Sequence, residues 1–346
     1  MAEFLQPGSP APFWAILRHP LVKLSGMRAR KTQILSRRGE IHPFREVWLL
    51  GQPPLQSYLR FVEEMVVDGA KIPKSTLVDE WRAANDYYGE LEQSEAGFAD
   101  KAEIQKLDKA LVPLARAVKA SPQFKRAFDT LPTRIEMVQL DRLIVSQKCI
   151  SLHHTDAQKT RLGPAPNAKD VFRFCLPLER AEAPVRMRKT GAHRYVYWSE
   201  SADFRFQEAA HLRPNQISGF TPSGAVGGII GLMVGYDSNF LNCVQSESRL
   251  LLQDGHHRAY ALRDLGITHA PCIIQTVSRL DELKLVAGGA VLDDPGFYFT
   301  ARRPPVLKDF FDPKIRKNFA VHPAASVVEI SFEVREYTTR DFAKVE

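Results

Sequence analysis

The chain has 346 residues, of which 44% are hydrophobic and 25% charged, and its formal net charge is +7. This composition is typical of a folded globular protein, and no apolar run reaches the roughly 18 to 20 residues of a membrane-spanning helix. The four cysteines have no CxxC spacing, which argues against zinc knuckles and a disulfide scaffold. The first basic residue, Arg18, follows a proline-rich opening, so the order of a secretory signal is absent and we expect a cytoplasmic protein.

The first 50 residues are predicted to form a basic N-terminal arm. Residues 1–45 contain eight lysines and arginines against Glu3 and Glu40, which gives a net charge of +6 (8 − 2). Such an arm can bind nucleic acid, because neutralised phosphates release their counterions. A solvated terminus explains the same charge and is favoured somewhat, because no aromatic residues alternate with the arginines.

Residues 51–133 are predicted to be a helical region. Apolar residues recur at helical spacing from Leu55 to Val66, and a second helix is expected after Pro73. Asp100 and Glu103 have the spacing of a capping box, which predicts a third helix along residues 104–114. Nothing in this region indicates chemistry.

From about residue 134 the pattern changes to short strands separated by loops. Strands are predicted at residues 136–140, 143–145, 171–176, 194–198 and 204–207. The run from His153 to Asp156 is interpreted as a polar loop, because no partner with metal-site spacing accompanies it. The glycine-rich run at 224–235 lacks the ending of a P-loop, and its apolar residues favour close helix packing.

The segment from Arg249 to Val277 carries the clearest pattern. An apolar run that ends at Gln253 predicts a buried strand, residues 259–265 predict a helix, and the run after Pro271 predicts a second strand. Strand, helix and strand in this order predict a compact right-handed crossover between two parallel strands.

Asp254-Gly255-His256-His257-Arg258 joins the first strand to the helix. Backbone N–H groups at a helix N-terminus lack intrahelical acceptors and attract anions. Gly255 allows close approach of the backbone to a phosphate, Arg258 adds a permanent planar cation, and His256 and His257 can carry protons. Asp254 can hold the turn in shape. The turn therefore predicts a phosphate-binding site, although Asp-Gly is also a common turn without chemistry.

The run Leu250–Leu262, with Leu265-Gly266 and the strand after Pro271, resembles the signature of the ParB/sulfiredoxin superfamily. Residues Val138–Val145 resemble the segment that opens such domains. The resemblance implies an α+β fold, in which residues 134–280 form a mixed-sheet core with insertions after the helical region. It also implies that the Gly-x-x-Arg turn binds nucleotide phosphates.

This chain differs from each known branch of the superfamily, and these differences limit the activities that the resemblance implies. Sulfiredoxins have a catalytic cysteine where this chain has His256. Partition proteins have a helix-turn-helix domain after the core, whereas residues 281–346 here form a C-terminal extension with one short helical stretch and an alternating strand. Free-serine kinases share the Asp-Gly-His-His-Arg turn but place a glutamate near the position of Gln147. Asp141 or Glu247 would have to replace it.

The resemblance thus implies a nucleotide-binding phosphoryl-transfer enzyme, either a kinase or a nucleotide hydrolase. Gly255, His256, His257 and Arg258 would bind the phosphates of ATP, ADP or CTP, and Mg²⁺ would bridge those phosphates. Asp254, His256 and His257 would be the catalytic residues. The alternative is a DNA-binding protein or ParB-like nuclease that uses the turn and the basic arm on DNA phosphates. No membrane partner is expected, and the sequence does not indicate the oligomeric state.

Overall fold

A computed structural model describes residues 43–179, 183–201, 203–219, 221–236 and 238–338. The helices of these residues are α1 (Leu55–Met65), α2 (Lys74–Ser94), α3 (Val112–Ala120), α4 (Pro122–Ala127), α5 (Leu152–Leu162), α6 (Ala168–Cys175), α7 (His256–Asp264), α8 (Ala290–Asp293) and α9 (Pro295–Phe299), besides short 3₁₀ turns. The strands are β1 (Phe44–Leu49), β2 (Ile104–Gln105), β3 (Thr133–Gln139), β4 (Ile144–Val145), β5 (Cys149–Ser151), β6 (Arg186–Gly191), β7 (Arg194–Ser199), β8 (Phe204–Leu212), β9 (Ile229–Tyr236), β10 (Asn242–Ser246), β11 (Arg249–Asp254), β12 (His269–Val277), β13 (Arg316–Val321) and β14 (Ser326–Ser331). The protein is therefore a mixed α+β protein with several sheets.

The largest sheet of the described residues has the strand order β2-β3-β12-β10-β11-β4. Strand β10 pairs in parallel with β12 and antiparallel with β11, so β11 and β12 run in opposite directions. The predicted right-handed crossover between parallel strands is therefore wrong. Strands β10 and β11 form a hairpin whose turn contains Glu247 at a positive φ of 52°. A hairpin of this kind needs only a short turn, and it puts β10 between the two predicted strands.

The central strands of this sheet are buried on both faces, which explains the continuous apolar run in β11. Leu250 and Leu252 pack in a cluster with residues of α6 and α7, whereas Leu251 packs on the other face with residues of α8 and α9. Each large apolar side chain that is buried in this way contributes about 1.5–3 kcal/mol to stability.

A second sheet, β13-β1-β5, packs against the N-terminal helices. Trp48 of β1 and Phe319 of β13 share a core with Tyr58 and Val62 of α1 and Tyr88 of α2. Strand β1 lies within the predicted basic arm, and residues 1–42 of that arm lie outside the described residues.

Two further groups of strands are more exposed to solvent. Strands β14, β7 and β6 form a three-stranded sheet in that order, which we call the outer sheet. Strands β8 and β9 form an antiparallel hairpin. None of the described helices is both long and apolar enough to cross a membrane.

Most of the predicted elements are confirmed to within a few residues. These are the helices after Leu55 and after Pro73, the strands at 136–140, 143–145, 194–198 and 204–207, the elements between Arg249 and Val277, and the alternating strand near the C-terminus. The third helix, predicted along 104–114, is wrong in its first half, because β2 pairs with β3 there. Helix α3 begins only at Val112, with Pro113 in its first turn, where a missing N–H costs nothing.

Two segments that were predicted to be non-helical are helices. The run from His153 to Asp156 lies in α5 instead of a loop, and residues 171–176 fall largely in α6 instead of a strand. The Oγ of Ser151 accepts a hydrogen bond from the backbone of α5, and the Oδ1 of Asn167 accepts two from the backbone of α6. These side-chain caps stabilise the helix starts.

The glycine-rich run at 224–235 contains strand β9 and not a packed helix. At Gly231, a Cβ atom would lie 2.7 Å from Cδ1 of Leu212 on the neighbouring strand β8. Glycine thus provides room for the partner's side chain within a hairpin.

A buried ion pair joins the C-terminal segment to the end of α2. The side chain of Arg303 is 0% exposed, and its Nη1 and Nη2 atoms lie 2.5 and 2.6 Å from the two carboxylate oxygens of Asp309. Nη2 also donates to Glu95 over 2.9 Å. Removing one partner of such a pair leaves a buried charge without compensation.

We predict that Asp309→Ala destabilises the protein by about 3–5 kcal/mol, because Arg303 then stays buried with only Glu95 as its anion. The matched control is Glu333→Ala, which removes an exposed pair with Arg335 and should change stability little, because exposed ion pairs contribute little. Equilibrium unfolding in urea measures both values. Equal effects of the two substitutions would contradict a structural role for the buried pair.

Candidate functional site

The turn at 254–258 depends on a glycine in a left-handed conformation. Strand β11 ends at Asp254, whose Oδ1 accepts a hydrogen bond from the Gly255 N–H over 2.7 Å. Gly255 has φ +89°, and helix α7 begins at the next residue. A Cβ atom on Gly255 would lie 2.6 Å from Cδ1 and 3.1 Å from Cα of Leu241. Both the dihedral angle and the close contact therefore require glycine.

Arg258 is buried beneath this turn. The residue is only 4% exposed. Its Nη1 donates hydrogen bonds to the backbone oxygens of Cys175 and Asn239 over 3.2 and 2.5 Å. Arg258 therefore ties the end of α6 and the segment before β10 to the first turn of α7. The Arg258 charge lies at the helix N-terminus, as the sequence predicts. Part of the guanidinium group is hydrogen-bonded to these backbone oxygens.

His256 points into the interior. The residue is 6% exposed, and its Nε2 has no hydrogen-bond partner among the described residues. Burial, helped by His257, lowers the pKa of His256 from 6.5 to about 3. His256 is therefore neutral at physiological pH.

His257 is half-buried and faces a second histidine that sequence reasoning had placed in a loop. The rings of His257 and His154 meet edge to face, with centroids 5.2 Å apart. Burial, with smaller contributions from His154 and Arg258, lowers the pKa of His257 from 6.5 to about 4, although Asp203 raises it. The structure therefore brings His154 next to His257, and the charge of Asp203 acts on His257, although these residues are distant in sequence.

Helix α5 determines the position of His154. Nζ of Lys159 on α5 lies 2.5 Å from Oδ2 of Asp264 on α7, which holds the two helices together. The Nε2 of Gln158, one helical turn after His154, lies 2.8 Å from the Nε2 of that histidine. The available sequence signal was Ser151, a capping residue ahead of a His/Gln pair at helical spacing.

Neither carboxylate that was expected to replace a kinase glutamate lies at the turn. Asp141 accepts a hydrogen bond from Arg263 over 2.9 Å, and Arg263 lies roughly 9 Å along α7 from His257. Glu247 lies in the hairpin turn at the opposite end of β11, roughly 20 Å from Asp254. Both suggestions are therefore wrong. The acidic residue whose charge raises the pKa of His257 is Asp203.

Gln147 lies in the segment that follows strand β4. Strand β4 pairs in parallel with β11, with Val145 opposite Leu252, so the segment after β4 follows the same direction as the end of β11. The Nε2 of Gln147 donates to the backbone oxygen of Cys149 over 2.7 Å. Within the described part of the chain, no group of three or more His, Cys, Asp or Glu residues is arranged to hold a metal ion.

We predict that Gly255→Ala destabilises the protein by about 2–4 kcal/mol, because it adds left-handed strain and a clash with Leu241. Gly266, which follows α7, provides the control, since it has φ +80° and open space at the Cβ position. Gly266→Ala should therefore cost only the strain, about 1 kcal/mol. Urea unfolding of both variants tests the difference, and similar losses would show that the Leu241 contact does not restrict the turn.

We also predict that the buried imidazole of His256 makes stability depend on pH. Because its pKa is lower in the folded protein than in the unfolded chain, the unfolded chain binds the extra proton, and stability falls as the pH falls from about 7 toward 4. Between pH 7 and pH 5 this residue should account for about 2 kcal/mol. His256→Asn should remove that part of the pH dependence.

The comparison is made by urea unfolding at pH 5, 6 and 7. His211→Asn, at an exposed histidine, is the control and should keep the dependence of the original protein. An unchanged dependence in His256→Asn would mean that this imidazole titrates normally.

The chain matches no protein-family model, no curated protein and no solved structure. The interpretation of the site therefore depends on its residues and their geometry.

Proposed function

We propose that the chain binds a nucleotide by its phosphates at the N-terminus of α7 and transfers or hydrolyses a phosphoryl group there. The proposal depends on one observation: the left-handed Gly255 joins the end of β11 to α7, so that the first-turn N–H groups, the Arg258 cation and the His257 imidazole lie within one helical turn. The resemblance to ParB/sulfiredoxin-like domains and the mixed central sheet support it.

The phosphates would be bound mainly by the backbone. A helix N-terminus offers N–H donors and the positive end of the helix dipole, and α7 is long enough, at nine residues, to have both. Arg258 contributes a permanent positive charge, while its Nη1 keeps the turn in place through the oxygens of Cys175 and Asn239. We assign Arg258 to phosphate binding and to positioning of the turn.

His257 is the best candidate for a general base. Its ring is half-buried beside His154, and it is neutral at pH 7 because burial lowers its pKa to about 4. A neutral imidazole can accept the proton of an acceptor hydroxyl or of water as that oxygen bonds to the terminal phosphorus. The bond from this phosphorus to the bridging oxygen breaks, and the nucleotide leaves with one phosphate fewer. Asp203 favours the charged imidazole that results. His256, which is buried, is assigned to packing beneath the turn.

Mg²⁺ would be held through Asp254, whose carboxylate lies at the turn and is a hard oxygen ligand of the kind that this ion prefers. Nucleotide phosphates would supply further oxygens, and the ion would neutralise part of their charge. ATP, ADP and CTP are the candidate nucleotides.

The first test is a thermal-shift series on the full chain with ATP, ADP and CTP, with and without Mg²⁺. A nucleotide that binds only the folded state raises the melting temperature. Arg258→Gln should reduce affinity by at least about tenfold, because a charged hydrogen-bonding partner of the phosphate is lost. Arg258→Lys, which keeps the charge, should lose less. If no nucleotide stabilises the original protein under either condition, the proposal is wrong.

The second test separates the base from the binding site. His257→Ala should reduce nucleotide turnover by about 10²–10⁴-fold and leave nucleotide affinity nearly unchanged. His211→Ala, at an exposed histidine, should change neither quantity. Turnover of the original protein should stay level from pH 8 to pH 6 and fall toward pH 4, where His257 becomes protonated. Normal turnover in His257→Ala would exclude this residue as the base.

A further inference from the structure

Strand β6 forms one edge of the outer sheet. In the order β14-β7-β6 it pairs with β7 on one side, and no strand of the described residues pairs with it on the other. All residues of Arg186–Gly191 are exposed. An edge strand of this kind presents a row of backbone N–H and C=O groups to which another strand can be added. The edge is remote in sequence from the turn at 254–258 and takes no part in the proposed phosphoryl transfer.

One face of the outer sheet has an apolar row that ends at this edge. Met187 of β6 pairs with Tyr197 of β7, which pairs with Val328 of β14, and residues that are paired across a sheet share a face. Met187 is 54% exposed, and Val185, which precedes it on the same face, is 43% exposed. A strand added beside β6 would put side chains next to these two residues. Apolar side chains there would continue the row and cover it.

The other face of β6 is basic. Arg186 and Arg188 alternate with Met187 along the strand, so their side chains project to the opposite face. Neither arginine forms a salt bridge with any described residue, and Glu329 on that face pairs with Arg194. Opposite charges on paired strands stabilise a sheet. Acidic side chains on the added strand would therefore fit beside the two arginines.

We propose that β6 binds an extended segment of a partner protein by strand addition, and that this segment alternates acidic with apolar residues. Main-chain hydrogen bonds would provide the affinity, and the two faces would provide the specificity. Apolar residues of the segment would lie beside Val185 and Met187, and its acidic residues would lie beside Arg186 and Arg188. The proposal does not depend on the nucleotide site.

A second copy of β6 fits this edge poorly. Antiparallel pairing of two copies would bring Arg186 and Arg188 of one copy beside the same residues of the other, and like charges on paired strands are destabilising. Cations on an edge commonly prevent such association. That protective role does not explain the exposed Met187 between the two arginines, whereas an acidic and apolar partner strand fits all three side chains.

The test is fluorescence anisotropy of the full chain with the labelled peptide Thr-Glu-Val-Glu-Val-Glu-Val-Thr at 50 mM salt. A control peptide has the same composition, but its glutamates and its valines are grouped. The alternating peptide should bind at least about tenfold more tightly, because only alternation puts the acidic residues on one face of an added strand and the apolar residues on the other. Equal affinities would overturn the proposal.

The arginines are tested by exchange of charge. R186E/R188E should bind the glutamate peptide at least about tenfold more weakly and should instead bind Thr-Lys-Val-Lys-Val-Lys-Val-Thr, since the pairing of opposite charges is restored. The control R116E/K119E makes the same change of charge at exposed positions of α3 and should leave both affinities nearly unchanged. Circular dichroism and thermal melting establish that each variant is folded. Equal effects of the two variants would mean that net charge alone attracts the peptide, and the proposal would be overturned.

Methylation of the peptide backbone distinguishes strand addition from a purely electrostatic contact. The N–H groups of successive residues in a strand point alternately toward one neighbour and toward the other. N-methylation of the three glutamates and N-methylation of the three valines should therefore give one peptide that binds and one that does not. Equal affinities of the two methylated peptides would show that the segment is not added as a strand.

Two further results would overturn the proposal. The first is the absence of binding of the alternating glutamate peptide at 50 mM salt. The second is a dimer in analytical ultracentrifugation that R186E/R188E dissociates, which would assign the edge to a second copy of the chain. The outcome is independent of the nucleotide tests, because His257→Ala and Arg258→Gln leave β6 intact.

Discussion

The contact between Gly255 and Leu241 determines where the other parts of the candidate site lie. Gly255 adopts a left-handed conformation against Leu241, and no side chain fits between them. The Leu241 N–H donates to the oxygen of Cys175, and the Leu241 oxygen accepts from the Ile273 N–H, so the segment before β10 is fixed to α6 and β12. Arg258 donates to that same Cys175 oxygen. A change at this contact is therefore transmitted to α6, β10, β12 and α7 together.

The three consecutive side chains that begin α7 differ in how deeply they are buried. His256 and Arg258 are buried, whereas His257 is half-buried and reaches the surface of the turn. Burial keeps both imidazoles neutral by lowering their pKa values, while Arg258 stays charged with its Nη1 on backbone oxygens. One fixed cation and one neutral imidazole at a helix N-terminus are the arrangement that the proposed phosphate chemistry would use.

Short sequence patterns were sufficient to predict the turn at 254–258. The elements that surround this turn are determined by contacts between residues far apart in the sequence. The glycines at 255 and 266 mark the two ends of α7, and the apolar run of β11 needs no partner to be recognised. The insertion of β10 between β11 and β12 follows from a hairpin register, which single-strand patterns do not encode. The approach of His154 and Asp203 to His257 depends on chain folding over 50 to 100 residues. Helices α5 and α6 were missed although Ser151 and Asn167 are ordinary capping residues, because their short apolar patterns resemble loops and strands.

The six-stranded sheet and the surface of the outer sheet differ in the exposure of their apolar residues. In β11, every leucine is buried, and its side chain contributes to the stability of the fold. In the groove between the outer sheet and strand β9, Ile230 and Phe332 remain exposed, so they add little to stability and leave apolar surface in water. Stability alone therefore explains the core but not these exposed apolar residues.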